Sequence, residues 1–333
     1  MYSETQLAAR RAAHFAATGR DLHTDIPLSN VALNYRPMKG IADMIMPVVG
    51  VPNQSGFVTE FFRKEALRVE RSRRAPGTEA NYVDRDVGSK QYFCKNYALK
   101  TGVTVEDLAN ADAAKKSVLF DGAAEFVTNK LWLGWEKRVV DLISTSNVSS
   151  SLGVASKWNG AGAPLNCINA AIDNVKGLTG YAPNSILFGE NAWKSFRRDA
   201  TVRNLIFGTN NGGGYATEEQ VKKIFEVDRV NVQRSVINTG NESQAESLGL
   251  VMLDHVLVYY APLVAGISDP SWAYTYRWDV PGVPALQAER HPYDDRKKSY
   301  EVEVGLYQDE RVTGADYGFL VLSVNSNTSS GLG

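Results

Sequence analysis

The stretch "ADAAKKSVLFDGAAEFVTNKLWLGWEKRVVDLI" (residues 111–143) carries the strongest periodic pattern in the chain. Its apolar residues recur at steps of three or four positions, which is the spacing of one helix face. They are Phe120, Ala124, Val127, Leu131, Trp135, Val139 and Leu142. A helix from about Asp112 to about Ser144 would be ~50 Å long, well above the usual three to four turns. We therefore predict a spine helix that crosses the molecule with this apolar stripe in the core.

The sequence after the spine helix predicts a separate α+β region. "STSNVSSSLG" (144–153) marks the passage to it. Residues 160–285 then alternate helical and strand patterns. Helices are predicted for "PLNCINAAIDNVKGLTG" (164–180), "ENAWKSFRRDATVRNLI" (190–206) and "TEEQVKKIF" (217–225); strands are predicted for "APNSILFG" (182–189), "VDRVNVQRSVIN" (227–238) and "LGLVMLDHVLVYYAP" (248–262). Thr217 and Gln220 form a capping box, and residues 299–324 predict two more strands with a turn near Gly314.

Before the spine helix lies a run of mixed charge, "RVERSRRAPGTEANYVDRD" (68–86), which we call the charged segment. Its arginines alternate with acids, which is unlike a phosphate-binding groove. The arginines are Arg68, Arg71, Arg73, Arg74 and Arg85; the acids are Glu70, Glu79, Asp84 and Asp86. A Pro76-Gly77 turn and the flanking limbs 57–69 and 90–105 predict a long two-stranded hairpin.

The N-terminal residues predict a helix followed by an arm. "SETQLAARRAAHFAAT" (3–18) opens with a capping box of Ser3 and Gln6 and continues as an amphipathic run. Residues 21–37 show no lasting period and contain Pro27 and Pro37. We expect an extended arm there.

Composition excludes several classes of protein. The chain has 333 residues, of which 44% are hydrophobic, and a formal net charge of -1. This charge gives no overall attraction to nucleic acid or to an anionic membrane. Cys94 and Cys167 lie far apart, and no signal peptide or membrane-spanning apolar run is present, so we expect a reduced, intracellular protein without a membrane partner.

No constellation of reactive residues predicts an enzyme. The four histidines lack the spacing of metal ligands, and no G-x-S-x-G motif occurs. "GTNNGGGYATEE" (208–219) lacks the Lys-Ser/Thr pair of a phosphate-binding loop, so a mobile loop is the favoured interpretation. Trp132 and Trp135 are candidates for base stacking, but their helical spacing favours packing. We predict no catalytic residue, no metal and no cofactor.

Several strings in this order resemble the major capsid protein of tailed bacteriophages, whose fold encapsulin shells and the herpesvirus capsid floor share. Besides the spine, they are "IADMIMPVVGV" (41–51), "RAPGTEA" (74–80), "YFCKNYALKTGV" (92–103), "GYAPNSILFGENAWKSF" (180–196), "VKKIFEVDRVNVQRSVIN" (221–238) and "YTYRWDVPG" (274–282). The resemblance implies an α+β capsid fold. Its parts would be an N-terminal arm (1–50), an extended β-hairpin loop (51–98), a peripheral domain with the spine helix (99–149), an axial domain (150–285) and C-terminal strands, mostly peripheral (286–333).

The resemblance also implies partners and a location. The chain would assemble with itself into hexamers and pentamers of an icosahedral shell around double-stranded DNA, with the charged segment at intersubunit contacts. A scaffolding protein, a portal and a decoration protein are the further partners. A scaffolding domain before the arm is absent, which suggests a separate scaffolding protein or a mature form. The location would be the virion, after assembly in the host cytoplasm. An encapsulin-like nanocompartment shell is the alternative, and an enzyme with an unrecognised site is a third hypothesis.

Overall fold

In a computed structural model of the chain, the described residues are 28, 32, 40–61, 68–70, 72–74, 76–83, 87–111, 116–208, 214–241, 244–252, 254–266, 269–279 and 286–326. The predicted helix 3–18 and nearly all of the predicted arm 21–37 lie outside these residues. So do Arg71, Arg85 and residues 209–213 of the glycine-rich loop.

The described chain contains seven α-helices and fourteen strands. The helices are α1 (Ala42–Ile45), α2 (Val105–Asn110), α3 (Lys116–Asp141), α4 (Pro164–Thr179), α5 (Glu190–Arg198), α6 (Ala200–Phe207) and α7 (Glu218–Phe225). The strands are β1 (Val48–Val51), β2 (Ser55–Phe61), β3 (Val87–Phe93), β4 (Lys95–Thr104), β5 (Ser150–Gly153), β6 (Ser185–Gly189), β7 (Arg229–Gln233), β8 (Val236–Asn238), β9 (Leu248–Leu250), β10 (Val256–Tyr259), β11 (Ala273–Trp278), β12 (Gln287–Arg290), β13 (Ser299–Val312) and β14 (Gly318–Leu322).

The first sheet has five strands built around the 14-residue strand β13. One edge of β13 pairs with β11 and β12, and the other pairs with β4 over ten residues. Strand β1 adds to β11 in parallel. The side chains of Lys100 and Lys297 both bond Glu301 on the β4–β13 pair, and these bonds lower the pKa of Glu301 to about 2. Because β1 lies near the start of the described chain and β13 lies near its end, the first sheet brings these two parts of the chain together.

The second sheet has the strand order β5-β14-β10-β6-β7. Because strand side chains alternate between faces, its residues separate into two cores. Ile186, Phe188 and Val256 pack in a cluster with residues of helices α4 to α7. On the opposite face, Leu187 and Leu257 pack in a cluster with the end of α3.

Helix α3 is the predicted spine helix, and it connects the cores of the two sheets. Phe120, Val127 and Leu131 lie in a cluster with residues of β4, β12 and β13 in the first sheet. Trp135 and Val139 lie in the cluster that contacts the second sheet. All five side chains are buried, as the apolar stripe predicts.

The spine helix ends earlier than predicted. It stops at Asp141 rather than near Ser144, which leaves Leu142 beyond the helix. The Leu142 carbonyl accepts a bond from the side chain of Asn147, and the Ile143 N–H bonds the Val140 carbonyl in a tighter turn. The described helix has 26 residues and is therefore ~39 Å long.

Three predicted elements are each divided in the structure. The helix predicted for 190–206 is two helices, because the Asp199 side chain accepts bonds from the N–H groups of Thr201 and Val202 and caps α6. The strands predicted for 227–238 and 248–262 each separate into two. Strands β8 and β9 are not part of the second sheet. They pair with each other as a separate two-stranded sheet.

Each sheet combines strands from more than one of the ranges predicted as domains. Strand β11, inside the predicted axial range, pairs in the first sheet, whereas β14, inside the C-terminal range, lies between β5 and β10 of the second. These pairings are non-local, so strand patterns alone do not reveal them. Among the described residues, no helix combines the length and apolarity needed to cross a membrane.

Candidate functional site

The hairpin predicted around the charged segment is present at its base. Strands β2 and β3 pair antiparallel from Ser55↔Phe93 to Phe61↔Val87. The returning limb is shorter than the predicted 90–105, because β4 pairs with β13 instead of β2. Cys94 marks the division: its N–H donates to the Gln54 carbonyl, and its side chain is buried.

The base of the hairpin is fixed to the first sheet by aromatic and polar contacts. The Tyr92 ring stacks on Tyr276 of β11 with ring centroids 5.2 Å apart. The Phe93 N–H donates to the buried Asp309 carboxylate over 3.0 Å. Across the hairpin, a Cβ at Gly56 would lie 2.9 Å from the Tyr92 hydroxyl, so a larger residue there would displace the ring. These contacts give the hairpin a defined direction.

Burial at this base changes the acidity of its titratable groups. Burial, with a smaller effect of the Asp309 charge, raises the pKa of the Cys94 thiol to about 11. Burial also raises the pKa of Tyr276. Both side chains remain neutral at physiological pH and serve packing.

Beyond the strands, the described part of the charged segment is exposed. Arg68, Arg73, Arg74 and Glu79 are all exposed, while Arg71 and Arg85 lie outside the described residues. An ion pair joins Arg68 to Glu70 at 2.9 Å. The predicted Pro76-Gly77 turn is present, and Gly77 has φ 78°, which favours glycine. The structure thus places Arg68, Arg73 and Arg74 at the solvent-facing end of an anchored hairpin.

Large apolar side chains share this exposed end, and the sequence analysis did not single them out. Val69 is 96% exposed and Tyr82 is 89% exposed, with Val83 close by in sequence. Exposed apolar groups rimmed by charge mark contact surfaces. The sequence could have indicated this surface, because Val69, Tyr82 and Val83 are apolar residues within an otherwise charged run.

A buried glutamate in the spine helix is a second feature that the sequence analysis missed. Glu136 is 2% exposed, and its carboxylate accepts bonds from the N–H groups of Ile41 and Ala42, the second over 2.9 Å. It also accepts from the Gln233 side chain at the end of β7. The spine is thereby bonded both to the start of α1 and to the second sheet.

Arg138, one turn before the end of the spine, bonds the first sheet. Its guanidinium lies 3.0 Å from Glu310 and 3.7 Å from the centroid of the Tyr97 ring. Arg290 similarly covers the Phe120 ring at 3.9 Å. Such cation–aromatic contacts strengthen in desolvated positions.

The two tryptophans of the spine pack together beside a cleft. Their ring centroids are 4.8 Å apart, and Trp135 is buried, so they serve packing as favoured from the sequence. The cleft has a volume of about 340 Å³ and lies among α3, β1, β7 and β11. Arg229 on its wall donates to the carbonyl of Pro262 over 3.2 Å and holds the 261–265 loop. Within the described chain, no group of three or more His, Cys, Asp or Glu could hold a metal ion.

Comparisons with known proteins fit this geometry. No protein-family model matches the chain. The major capsid protein of Burkholderia phage BcepMu is 24% identical over 313 residues, which cover 90% of this chain and 96% of the relative. The chain is thus homologous to a phage major capsid protein, and the resemblance stated from the sequence is confirmed.

Solved structures identify the fold. A phage-related protein from Bordetella bronchiseptica RB50 has a TM-score of 0.73 at 20% identity, with coverage of 92% of this chain and 99% of that protein. The capsid of cyanophage P-SCSP1u has a TM-score of 0.52 at 12% identity, with coverage of 88% and 91%. The predicted α+β tailed-phage capsid fold is confirmed, and together with the homologue it supports a structural, shell-forming role.

Proposed function

We propose that this chain, which has the tailed-phage capsid fold, is a major capsid protein that assembles with copies of itself. Hexamers and pentamers of the chain would form an icosahedral shell around double-stranded DNA. The role is structural rather than catalytic, and the location is the virion after assembly in the host cytoplasm.

The observation that carries the proposal is the anchored hairpin with an exposed end. Tyr92, Cys94 and Val58 bury its base in a core cluster, so its direction is fixed. Val69 and Tyr82 at the other end contact almost nothing within the subunit. Covering each such side chain would contribute about 1.5–3 kcal/mol. A neighbouring copy can supply that cover at every position of a closed ring.

The charges of the segment fit a reversible contact. Exposed ion pairs contribute about 0.2–1 kcal/mol each, so a single hairpin contact stays weak. Multiplied over the copies of a shell, the same small contribution becomes large. Misplaced subunits can therefore dissociate before the shell closes. We propose Arg68, Arg71, Arg73, Arg74, Glu79 and Arg85 as intersubunit contact residues.

The remaining partners follow from the same role. A shell must be shaped and filled, so a scaffolding protein, a portal and a decoration protein are proposed partners. The first sheet would form most of the peripheral domain. The second sheet would form most of the axial domain, whose tips meet at the centre of each ring. With a net charge of -1, the chain has no overall electrostatic attraction to DNA. The DNA would therefore be enclosed by the shell without sequence-specific binding.

Sedimentation velocity of the purified chain over a range of concentrations tests the proposal. Closed assembly is cooperative, so we expect one small species at low concentration and one very large species above a threshold, with few intermediates. Higher salt should move that threshold upward, because it screens the hairpin ion pairs. A chain that stays monomeric at all concentrations, or that forms a fixed dimer, would contradict it.

A further inference from the structure

The four residues that follow strand β14 are bonded to two other segments of the chain. We call these residues, 323–326, the clasp. The Val324 N–H donates to the Asp254 carbonyl over 2.9 Å, and the Val324 carbonyl accepts from the Trp158 N–H over 2.7 Å. The Lys157 ammonium donates to the first carbonyl of the clasp over 2.6 Å. The clasp therefore ties the end of β14 to the segment before β10 and to the loop after β5.

The first N–H group of the clasp is bonded by a histidine ring. The Ser323 N–H donates to Nδ1 of His255 over 3.2 Å. Ser323 has φ 49°, a left-handed conformation that serine seldom adopts, so this bond helps to hold an unfavourable turn. Because Nδ1 accepts, the proton of the neutral ring lies on Nε2. The closed clasp is thus compatible with the neutral form of His255.

The surroundings of His255 oppose a positive charge on its ring. The side chain is 4% exposed, and Nε2 has no hydrogen-bond partner within the described part of the chain. Burial lowers the pKa of His255 from the ordinary value of 6.5, and the Asp254 carboxylate offsets this effect only in part. A proton added at Nδ1 would face the Ser323 N–H, so two donors would meet where one hydrogen bond now exists. A protonated ring is therefore incompatible with the closed clasp.

The charged groups around His255 do not supply the same response to acid. The Asp254 carboxylate accepts from the Asn325 side chain over 2.8 Å, and burial raises the pKa of Asp254. An acid with a raised pKa takes up its proton more readily in the folded subunit, so Asp254 favours the closed clasp as the pH falls. Lys157 is the neighbouring cation and bonds the clasp itself. Glu190, at the start of α5, forms ion pairs within α5 and with the chain after β7.

We propose that the clasp is pH-dependent: it stays closed while His255 is neutral and opens when mild acid protonates the ring. In the open state the ring is solvated and binds a proton near pH 6.5, whereas in the closed state it binds one only at lower pH. Acid below about pH 6.5 therefore favours the open state. Opening releases the end of β14, which lies between β5 and β10 in the second sheet. This inference goes beyond shell assembly, because it concerns the isolated subunit.

Hydrogen exchange of the purified subunit at about pH 7.5 and about pH 5.5 tests the clasp. The rates are first corrected for the intrinsic pH dependence of amide exchange. Over this interval the ring of the open state changes from mostly neutral to mostly protonated, so the protection of the Ser323 and Val324 amides should fall up to about tenfold. The amides of β13 in the first sheet are the internal control and should keep their protection. Equal protection of the clasp at both pH values, or an equal loss in β13, would overturn the proposal.

The variant His255→Asn separates the proton from the hydrogen bond. The asparagine side-chain oxygen can accept from the Ser323 N–H near the position of Nδ1, but it does not titrate in this pH range. We expect the clasp of this variant to stay closed at both pH values. His291→Asn is the matched control, because His291 bonds Glu303 on the first sheet, and its clasp should open in acid as in the natural chain. The same loss of protection in His255→Asn as in the natural chain would refute the role of His255.

Titration of the natural chain by NMR needs no variant and keeps the proposal testable if His255→Asn fails to fold. The ring signals of His255 should change with a midpoint below pH 6.5. The amide signals of Ser323 and Val324 should change with the same midpoint. A midpoint at or above pH 6.5, or clasp amides that do not follow the ring, would contradict the proposal. None of these measurements depends on particle formation, so their failure is separate from failure of the proposed shell.

Discussion

Glu136 connects three distant parts of the chain through one buried carboxylate. It accepts bonds from the N–H groups of Ile41 and Ala42 at the start of α1 and from the side chain of Gln233 at the end of β7. A buried charge is retained only when such bonds compensate for lost hydration. Glu136 therefore adds polar contacts to the apolar packing of Trp135 and Val139 that aligns the spine with the second sheet.

Replacing Glu136 should destabilise the subunit far more than replacing an exposed acid of the same helix. Glu136→Ala leaves buried donors without an acceptor, at about 1–3 kcal/mol for each group. Glu136→Gln keeps one acceptor and should fall in between. Glu125→Ala is the control and should change the free energy of unfolding by less than about 0.5 kcal/mol. Urea denaturation measures all three, and similar values for Glu136→Ala and Glu125→Ala would contradict the role of Glu136.

The two cysteines should differ in reactivity. The raised pKa of Cys94, about 11, keeps its thiolate scarce at pH 8, and burial blocks access. Cys167 is only half-buried. We expect a maleimide to modify Cys167 in the folded subunit and to modify Cys94 only after unfolding, as peptide mass spectrometry would show. Fast labelling of Cys94 in the native subunit would mean that the base of the hairpin opens.

Sequence patterns predicted the ends of helices where the hydrogen-bonding residues lie close together in the chain. The capping box of Thr217 and Gln220 is present, and Gly180 ends α4 with φ 76°. Asp199 followed by "ATV" was an available cap signal that would have divided α5 from α6. Glu136 could not be recognised, since its partners lie more than 90 positions away.

At the scale of elements, the spine helix connects two hydrophobic cores. Its first half packs on the first sheet and its second half on the second sheet. The apolar period predicted this helix because a single face is buried along its length. The period could not reveal that the helix spans two separate cores, because the partners in each core lie elsewhere in the chain.

A charge on the core side of the spine should prevent folding. Leu131→Asp places a carboxylate among Val304, Leu306 and Leu286 of its cluster, where an unpaired charge costs several kcal/mol. We expect loss of soluble subunit, not only of assembly. Asn129→Asp is the matched control, because it adds the same charge on the exposed face. Ordinary thermal unfolding of Leu131→Asp would show that the stripe is assigned to the wrong side.

The hairpin should behave in the opposite way, because its exposed end contributes little to the subunit's own fold. Reversing Arg71, Arg73 and Arg74 to Glu should leave circular dichroism and the melting temperature unchanged while weakening or blocking particle formation. The same three residues changed to Lys keep the charge and should assemble nearly as the natural chain does. If the Glu variant forms particles with normal yield and salt tolerance, the charged segment is a solvated loop that has no role in assembly.

At the scale of the whole molecule, the fold follows from long-range strand pairing. Strand β1 pairs with β11, and β14 lies between β5 and β10, so the chain crosses between the sheets more than once. Strand existence was predictable from alternation, but sheet membership was not, because several partners satisfy the same pattern. The order of local strings along the chain, rather than any one of them, carried the resemblance to capsid proteins.

Cryo-electron microscopy of particles formed by the purified chain tests the central claim most directly. We predict closed shells in which the hairpin of each copy lies on a neighbouring copy, with Val69 and Tyr82 buried and the arginines next to acidic side chains. Absence of closed particles at concentrations well above any assembly threshold would contradict the shell. Closed particles with every hairpin directed into solvent would contradict the contact on which the account rests.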